Sequence, residues 1–341
     1  MLSRHSLSAF LLTGILFAAC RSTDPVTPGG GISTRGVYVV NEGGFSGGGS
    51  LSYYDKQRDT LFNNVVGEGL NWLFPNDMKI IGNKGYVVVN GTDEIDVIDL
   101  SSNQRMRSIR LPASSGPEYL ASDASTLYVA NMNGTISSIA LSNDSLLGAS
   151  PAAVSFPGGI AIVDGKIVVS DYGSYSGGTF QPGHMLKLVS TVSLAITDSV
   201  RVGSALGGLA GEAGGLYVVS TGNSTVYQID VNSLSIRDSV RLGGSLAGDI
   251  ASDSSALYVL GVDSVARLSI APLGVSRSSF VKRSTGNFYY ALAVDGSNGD
   301  LYISNIVGSS TGQVEIYTSS GARKRPALTA GIFPGAFAFK M

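Results

Sequence analysis

The sequence predicts an all-β fold, a seven-bladed β-propeller of four-stranded antiparallel blades, and three observations carry that reading. A short segment, a small or Pro-containing turn running into a strand, recurs seven times at roughly 40 to 50 residue spacing, the period of one such blade. Gly, Ser and Asn abound while amphipathic helical stripes are missing, the composition of many short strands joined by turns. The last segment is a first strand without a blade, and the opening segment is a blade without its first strand.

Ahead of the repeats lies a different kind of chain. Arg4 and His5 give a positive start, an apolar run extends from Leu7 to Ala19, and Cys20 follows the small residues Ala18 and Ala19. That is a signal peptide over residues 1–19, too short for a permanent bilayer span. Small residues directly before a cysteine suit a lipoprotein signal peptidase, which leaves Cys20 as the lipid-bearing first residue. The competing reading is an ordinary secretory signal with a chance cysteine. Cys20 is the only cysteine, so no intramolecular disulfide framework exists. Residues 20–35 are Pro/Gly-rich and lack any strand or helix period, which reads as a tether. Arg21, rather than Asp, after the cysteine resembles the pattern that lets a lipoprotein proceed to the outer membrane.

Residues 36–341 form the folded part, a length that repeat architectures carry as one domain. Only 14% of residues are charged and the formal net charge is -2, so there is no electrostatic footprint for nucleic acid and no basic patch for anionic membrane. The first strands are Pro75–Ile81, Pro117–Ser122, Pro157–Ile162, Gly207–Glu212, Ala247–Ser252, Tyr290–Asp295 and Pro334–Phe339. More apolar second strands follow at Gly85–Asn90, Leu127–Asn131, Ile167–Asp171, Leu216–Ser220, Leu257–Gly261 and Leu301–Asn305, with a seventh, Val37–Asn41, at the start. Continuous apolar runs suit strands buried on both faces between neighbouring blades. Third strands include Glu94–Leu100, Thr225–Asp230 and Gln313–Tyr317. The fourth strands repeat most clearly, Ile196–Gly203 against Ile236–Gly243, with Arg107–Pro112 in register. Pairing of Pro334–Phe339 with Val37–Asn41 then closes the ring and removes the open seam at which a repeat array frays.

The strand pattern Leu127-Tyr-Val-Ala-Asn131, followed by a turn and an Ile-Asp-ending strand, resembles the YVTN-type propeller repeat. Val37–Phe45 followed by Gly49–Asp55 is similar to the opening blade of a group of lipid-anchored surface propellers. Members of that group accompany TonB-dependent uptake systems, and the best understood capture cobalamin-type corrinoids. The resemblance implies a surface-exposed outer-membrane lipoprotein that binds a small-molecule nutrient and passes it to a TonB-dependent transporter.

In a propeller, the loops leaving second strands and those leading into first strands share one face, the default ligand site. The second strands end in Asn41, Asn90, Asn131, Asp171, Ser220, Gly261 and Asn305, a ring rich in amides that donate and accept. Asn is also simply tolerant of turn geometry. Aromatic residues crowd the loops: Trp72, Phe74, Phe156, Phe288, Tyr289 and Phe333. They offer flat stacking surfaces, or they pack loop over core. Trp72 is the only tryptophan and the first choice for a contact. The fourth blade carries a long loop, Asp171–His184, with Tyr172 and Tyr175 as contacts on a lid or arm, the rival being a floppy insertion. The glycine run Glu42–Gly49 is a candidate for an anion nest, without the following helix that would strengthen it.

Material for catalysis is scarce. The mature chain keeps one histidine, His184, which leaves little for triads or multi-His metal sites. Blade tryptophans of quinone-cofactor propellers, sialidase Asp-boxes and WD signatures are absent, and no cofactor is expected. Glu42, Asn131, Asp171 and Asn305 can imitate the hard-oxygen cation set of propeller lactonases. The expectation is a non-enzymatic binding protein, with a scaffold or adhesion propeller for protein or glycan, or a metal-dependent hydrolase, as alternatives.

Overall fold

The computed structural model describes residues 35–212, 215–283, 288–309 and 311–341. The signal peptide, Cys20 and the tether fall outside the described residues. Seven four-stranded antiparallel sheets surround a common axis, and a separate two-stranded hairpin projects from the fourth. The innermost strands are Pro334–Lys340 in blade 1, Pro75–Ile81, Pro117–Ser122, Pro157–Val163, Leu206–Glu212, Leu246–Asp253 and Phe288–Val294 in blade 7. Each touches the next, and Phe288–Val294 returns to Pro334–Lys340, so the ring is shut.

The closing sheet is the one the chain ends required. Gly36–Asn41 pairs on one side with Ser50–Asp55 and on the other with Pro334–Lys340, in the register Gly36↔Lys340 through Asn41↔Pro334. Gly36 therefore enters the propeller at the end opposite the loops that follow Asn41.

Second strands are buried along nearly their whole length, as their apolar runs require, and in blades 1 to 3 the tyrosine that each carries stitches it to the next blade. Tyr38 Oη donates to Asn103 Oδ1 of blade 2 at 2.6 Å, Tyr86 to Asp144 of blade 3 at 2.6 Å, and Tyr128 to the Thr191 carbonyl of blade 4 at 3.3 Å. A repeated Leu-Tyr-Val thus supplies apolar filling and a directed polar link together. The inner strands are linked in a second way. Asp77 Oδ2 accepts the Leu120 N–H at 2.9 Å and Asp249 Oδ2 the Leu292 N–H at 2.8 Å, each reaching the next blade.

The long fourth-blade loop folds as a hairpin. Gly173–Ser176 pairs with Thr179–Pro182 across Gly177 and Gly178, both at positive φ (57° and 76°), a two-residue turn that only glycine-like backbones enter freely.

Candidate functional site

The candidate site is the propeller mouth, where loops that follow second strands meet loops that lead into inner strands. Its two halves differ because the inner strands start differently. In blades 4 to 6 they begin with glycines whose backbones touch: a Cβ on Gly158 would lie 1.9 Å from the Leu206 carbonyl oxygen, and one on Gly207 2.5 Å from that of Gly248. No side chain fits at these positions, so the inner strands meet there through main chain alone.

Blades 1, 2, 3 and 7 supply the polar half. Tyr290 Oη donates to Glu42, at 2.9 and 3.1 Å from the two carboxylate oxygens. Glu118 accepts from Asn76 Nδ2 at 2.7 Å and from Asn90 Nδ2 at 2.9 Å. Both carboxyls are half-buried, and burial is the main force on them. It pushes Glu42 up to about 7, against the opposing Tyr290 hydrogen bond. Glu118 is also raised to about 7, with the like charges of Glu42 and Asp77 adding to burial. Deeper in the channel burial raises Asp77, and raises Asp249 to about 6 despite the backbone N–H groups of Leu292 and Ile250. Burial also pushes the Tyr119 phenol well up, reinforced by Glu118, Asp249, Tyr290 and Asp77. The mouth therefore holds carboxyls that donate a hydrogen bond when neutral and accept one when ionised, near neutral pH.

Aromatic rings border this half. Tyr290 lies edge-on between Phe288 and Phe333, at centroid distances of 6.2 and 6.0 Å, and Phe74 meets the fully exposed Phe45 at 5.7 Å.

The sequence-derived contacts are distributed differently from the expected ring. Asn41, Asn131 and Asn305 are fully buried inside their own blades. Asn41 Nδ2 donates to Ser52 Oγ at 2.9 Å, and its Oδ1 accepts the Gly331 N–H. Asn131 donates to Thr135 and Ser137, and Asn305 to Glu315. Trp72 is buried with its Nε1 on Asp96 Oδ2 at 2.6 Å, and Tyr289 is buried with its hydroxyl on Glu315. These five side chains point into the β-sheets because each has a polar partner on a nearby strand. Asp171 is half-buried and accepts the Ser155 N–H. Asn90, Phe74 and Phe288 are at the mouth, while Tyr172 and Tyr175 stand on the fourth-blade arm. Sequence reasoning missed Asn76, Glu118, Tyr119 and Tyr290. Their signal was the polar or aromatic residue one or two places into each inner strand, where a register shift interrupts the regular alternation.

Of the oxygen set considered for a cation, Asn131 and Asn305 are buried in separate blades, with their amide Nδ2 groups on Thr135, Ser137 and Glu315. Among the described residues no group of three or more His, Cys, Asp or Glu side chains is placed to hold a metal ion. His184 lies at the base of the arm, with Nδ1 2.6 Å from the Gly203 carbonyl oxygen.

No protein-family model matches the chain, and no curated protein matches it. Among solved structures it is similar to a chain of the Kuenenia stuttgartiensis hydrazine synthase, with 13% identity, TM-score 0.62, and 77% of this chain and 88% of that one covered. It is similar also to a chain in the crystal structure of a mitotic checkpoint complex, with 10% identity, TM-score 0.61, and 83% and 84% covered. At such identities the likeness is one of architecture, and with the seven closed sheets it establishes this chain as a seven-bladed β-propeller.

Proposed function

We propose that this chain is a non-enzymatic binding protein, exported and lipid-anchored through Cys20 at the outer membrane, that holds a small polar molecule in the propeller mouth and passes it to a TonB-dependent transporter. One observation supports this reading above the others: Glu42, Glu118, Asn76, Asn90 and Tyr290 converge on one half of a mouth in whose other half the inner strands meet through glycine main chain. Such a mouth offers directed side-chain donors and acceptors on one side and closely packed main chain on the other. Phe45, Phe74, Phe288 and Phe333 add ring faces and edges at its border. A corrinoid, a flat macrocycle fringed with carboxamides, is a ligand that uses both features, and the resemblance of the opening blade makes it the first to try.

The test is calorimetry of the mature chain against a corrinoid panel, with Tyr290→Phe and Glu118→Gln as comparison variants. Saturable heat that weakens in both variants supports the reading. Absence of heat with every corrinoid removes that ligand, and equal affinity in the variants removes the mouth as its site.

A further inference from the structure

The fourth-strand repeat, the clearest in the sequence, has no part in the mouth. We infer that its charged ends on blades 4 to 6, together with the fourth-blade arm, form a second binding surface that takes an acidic polysaccharide.

The geometry repeats from blade to blade. In four blades the last residue of the outermost strand stands opposite the first residue of the third strand: Glu94↔Arg110 in blade 2, Met185↔Arg201 in blade 4, Thr225↔Arg241 in blade 5 and Ser264↔Lys282 in blade 6. In blade 2 the arrangement is neutralised, because Glu94 lies 3.5 Å from the Arg110 guanidinium. Blades 4, 5 and 6 place Met, Thr and Ser where that carboxylate stands. Arg201, Arg241 and Lys282 are exposed, and among the described residues none of them has an ion-pair partner. The next residues tie these ends to the mouth loops, with Val202 N–H on the His184 carbonyl and Leu242 N–H on that of Ser224. Asp198 and Asp238 precede their arginines by an odd number of residues, so they project from the opposite face of the strand. The acids that do share this sector are Asp171, engaged with Ser155, and Asp263 in the turn before Ser264.

Beside the first of these cations stands the arm. Tyr175 is 79% exposed and rests on Phe180 at 5.3 Å, Phe180 on Tyr172 at 5.3 Å, and Tyr172 on Phe156 at 6.5 Å. Three rings thus hold a fourth in water. The arm's base is bonded to the segment just after Arg201, through Val202 N–H to His184 and Ala205 N–H to Gly183. A tyrosine presented on an arm whose base adjoins the Arg201 strand end matches an acidic sugar, whose C–H face packs on the ring and whose carboxylate or sulfate is bridged by arginine. Cations one blade apart suit a chain lying along the rim. Their density is low and the mouth beside them is acidic, which suits a polymer charged on some of its units better than nucleic acid with a phosphate at every one.

The experiment is titration of the mature chain with alginate oligosaccharides, with dextran, polyglutamate and a single-stranded oligonucleotide in parallel. Alginate should bind, weaken as salt is raised, and exceed the other three. The triple variant R201S/R241S/K282S should bind about tenfold more weakly. Tyr175→Ala should lose several-fold on alginate alone, both variants melting as the parent does. An unchanged triple variant, an unaffected Tyr175→Ala, or polyglutamate or oligonucleotide binding equal to alginate would each overturn the assignment.

Discussion

Replacing Trp72 with Phe separates a structural role from a ligand-stacking one. The indole is 2% exposed and donates Nε1–H to Asp96 Oδ2 at 2.6 Å. Asp96 is itself fully buried, and also accepts Ser108 Oγ and, at 3.3 Å, the Arg105 guanidinium. Phenylalanine removes one of these donors to a buried carboxylate, a loss of about 1.5–3 kcal/mol. The smaller ring leaves unfilled space between blades 1 and 2, adding about 1 kcal/mol. The sum is about 2.5–4 kcal/mol, which for a domain of this size lowers the melting temperature by roughly 4 to 6 °C. Urea unfolding followed by circular dichroism measures it, with Tyr175→Ala as the exposed-aromatic comparison, expected within about 0.5 kcal/mol of the parent. A Trp72→Phe protein as stable as the parent would refute the reasoning, because it would mean that the indole neither fills the interface nor satisfies Asp96.

Two further outcomes follow from the channel. Glu42 and Glu118, raised to about 7, and Asp249, raised to about 6, hold protons in the native state that the unfolded chain releases near pH 4. Stability from these groups is thus complete below their unfolded values and is lost as pH rises through 6 to 7, by on the order of 3 kcal/mol. Asp123, Asp253 and Asp295 are lowered and act oppositely, their contribution disappearing as pH falls below about 4. Urea midpoints between pH 4 and 8 should therefore peak on the acidic side, and Glu118→Gln should flatten the fall; midpoints that climb toward pH 8 contradict this. Gly158→Ala puts a methyl 1.9 Å from the Leu206 carbonyl and should cost on the order of 3 kcal/mol. Gly148→Ala, into open space, should cost less than about 0.5 kcal/mol in the same unfolding assay.

The blade count and ring closure were legible because each blade repeats one burial problem. A continuous apolar strand such as Leu127–Asn131 can only be buried between two sheets, and its period announces how many sheets there are. The mouth was legible in outline but not in its residues. Asn41, Asn131 and Asn305 read as an amide ring because they end equivalent strands. Whether an amide turns outward depends on the third strand, where Ser52, Ser137 and Glu315 hold these three inside. Asn90 lacks such a partner in its own blade and reaches Glu118 in the next. The arm illustrates the opposite case: Gly177-Gly178 between alternating polar and aromatic residues is a hairpin signal, overlooked because the segment's length suggested a lid. Charge was misleading for a different reason. A net charge of -2 sums over the chain, while Arg201, Arg241 and Lys282 gain their local character from the neutral residues across the ladder.

The central position of Gly36–Asn41 between two antiparallel neighbours bears on mechanical load. Tension applied through the residues preceding Gly36 acts along this strand's own axis, so rupture means sliding it past Ser50–Asp55 and Pro334–Lys340 at once rather than peeling either ladder bond by bond. Load applied at that end is carried where the ring is sealed, and the geometry that shuts the fold also makes it resist shear.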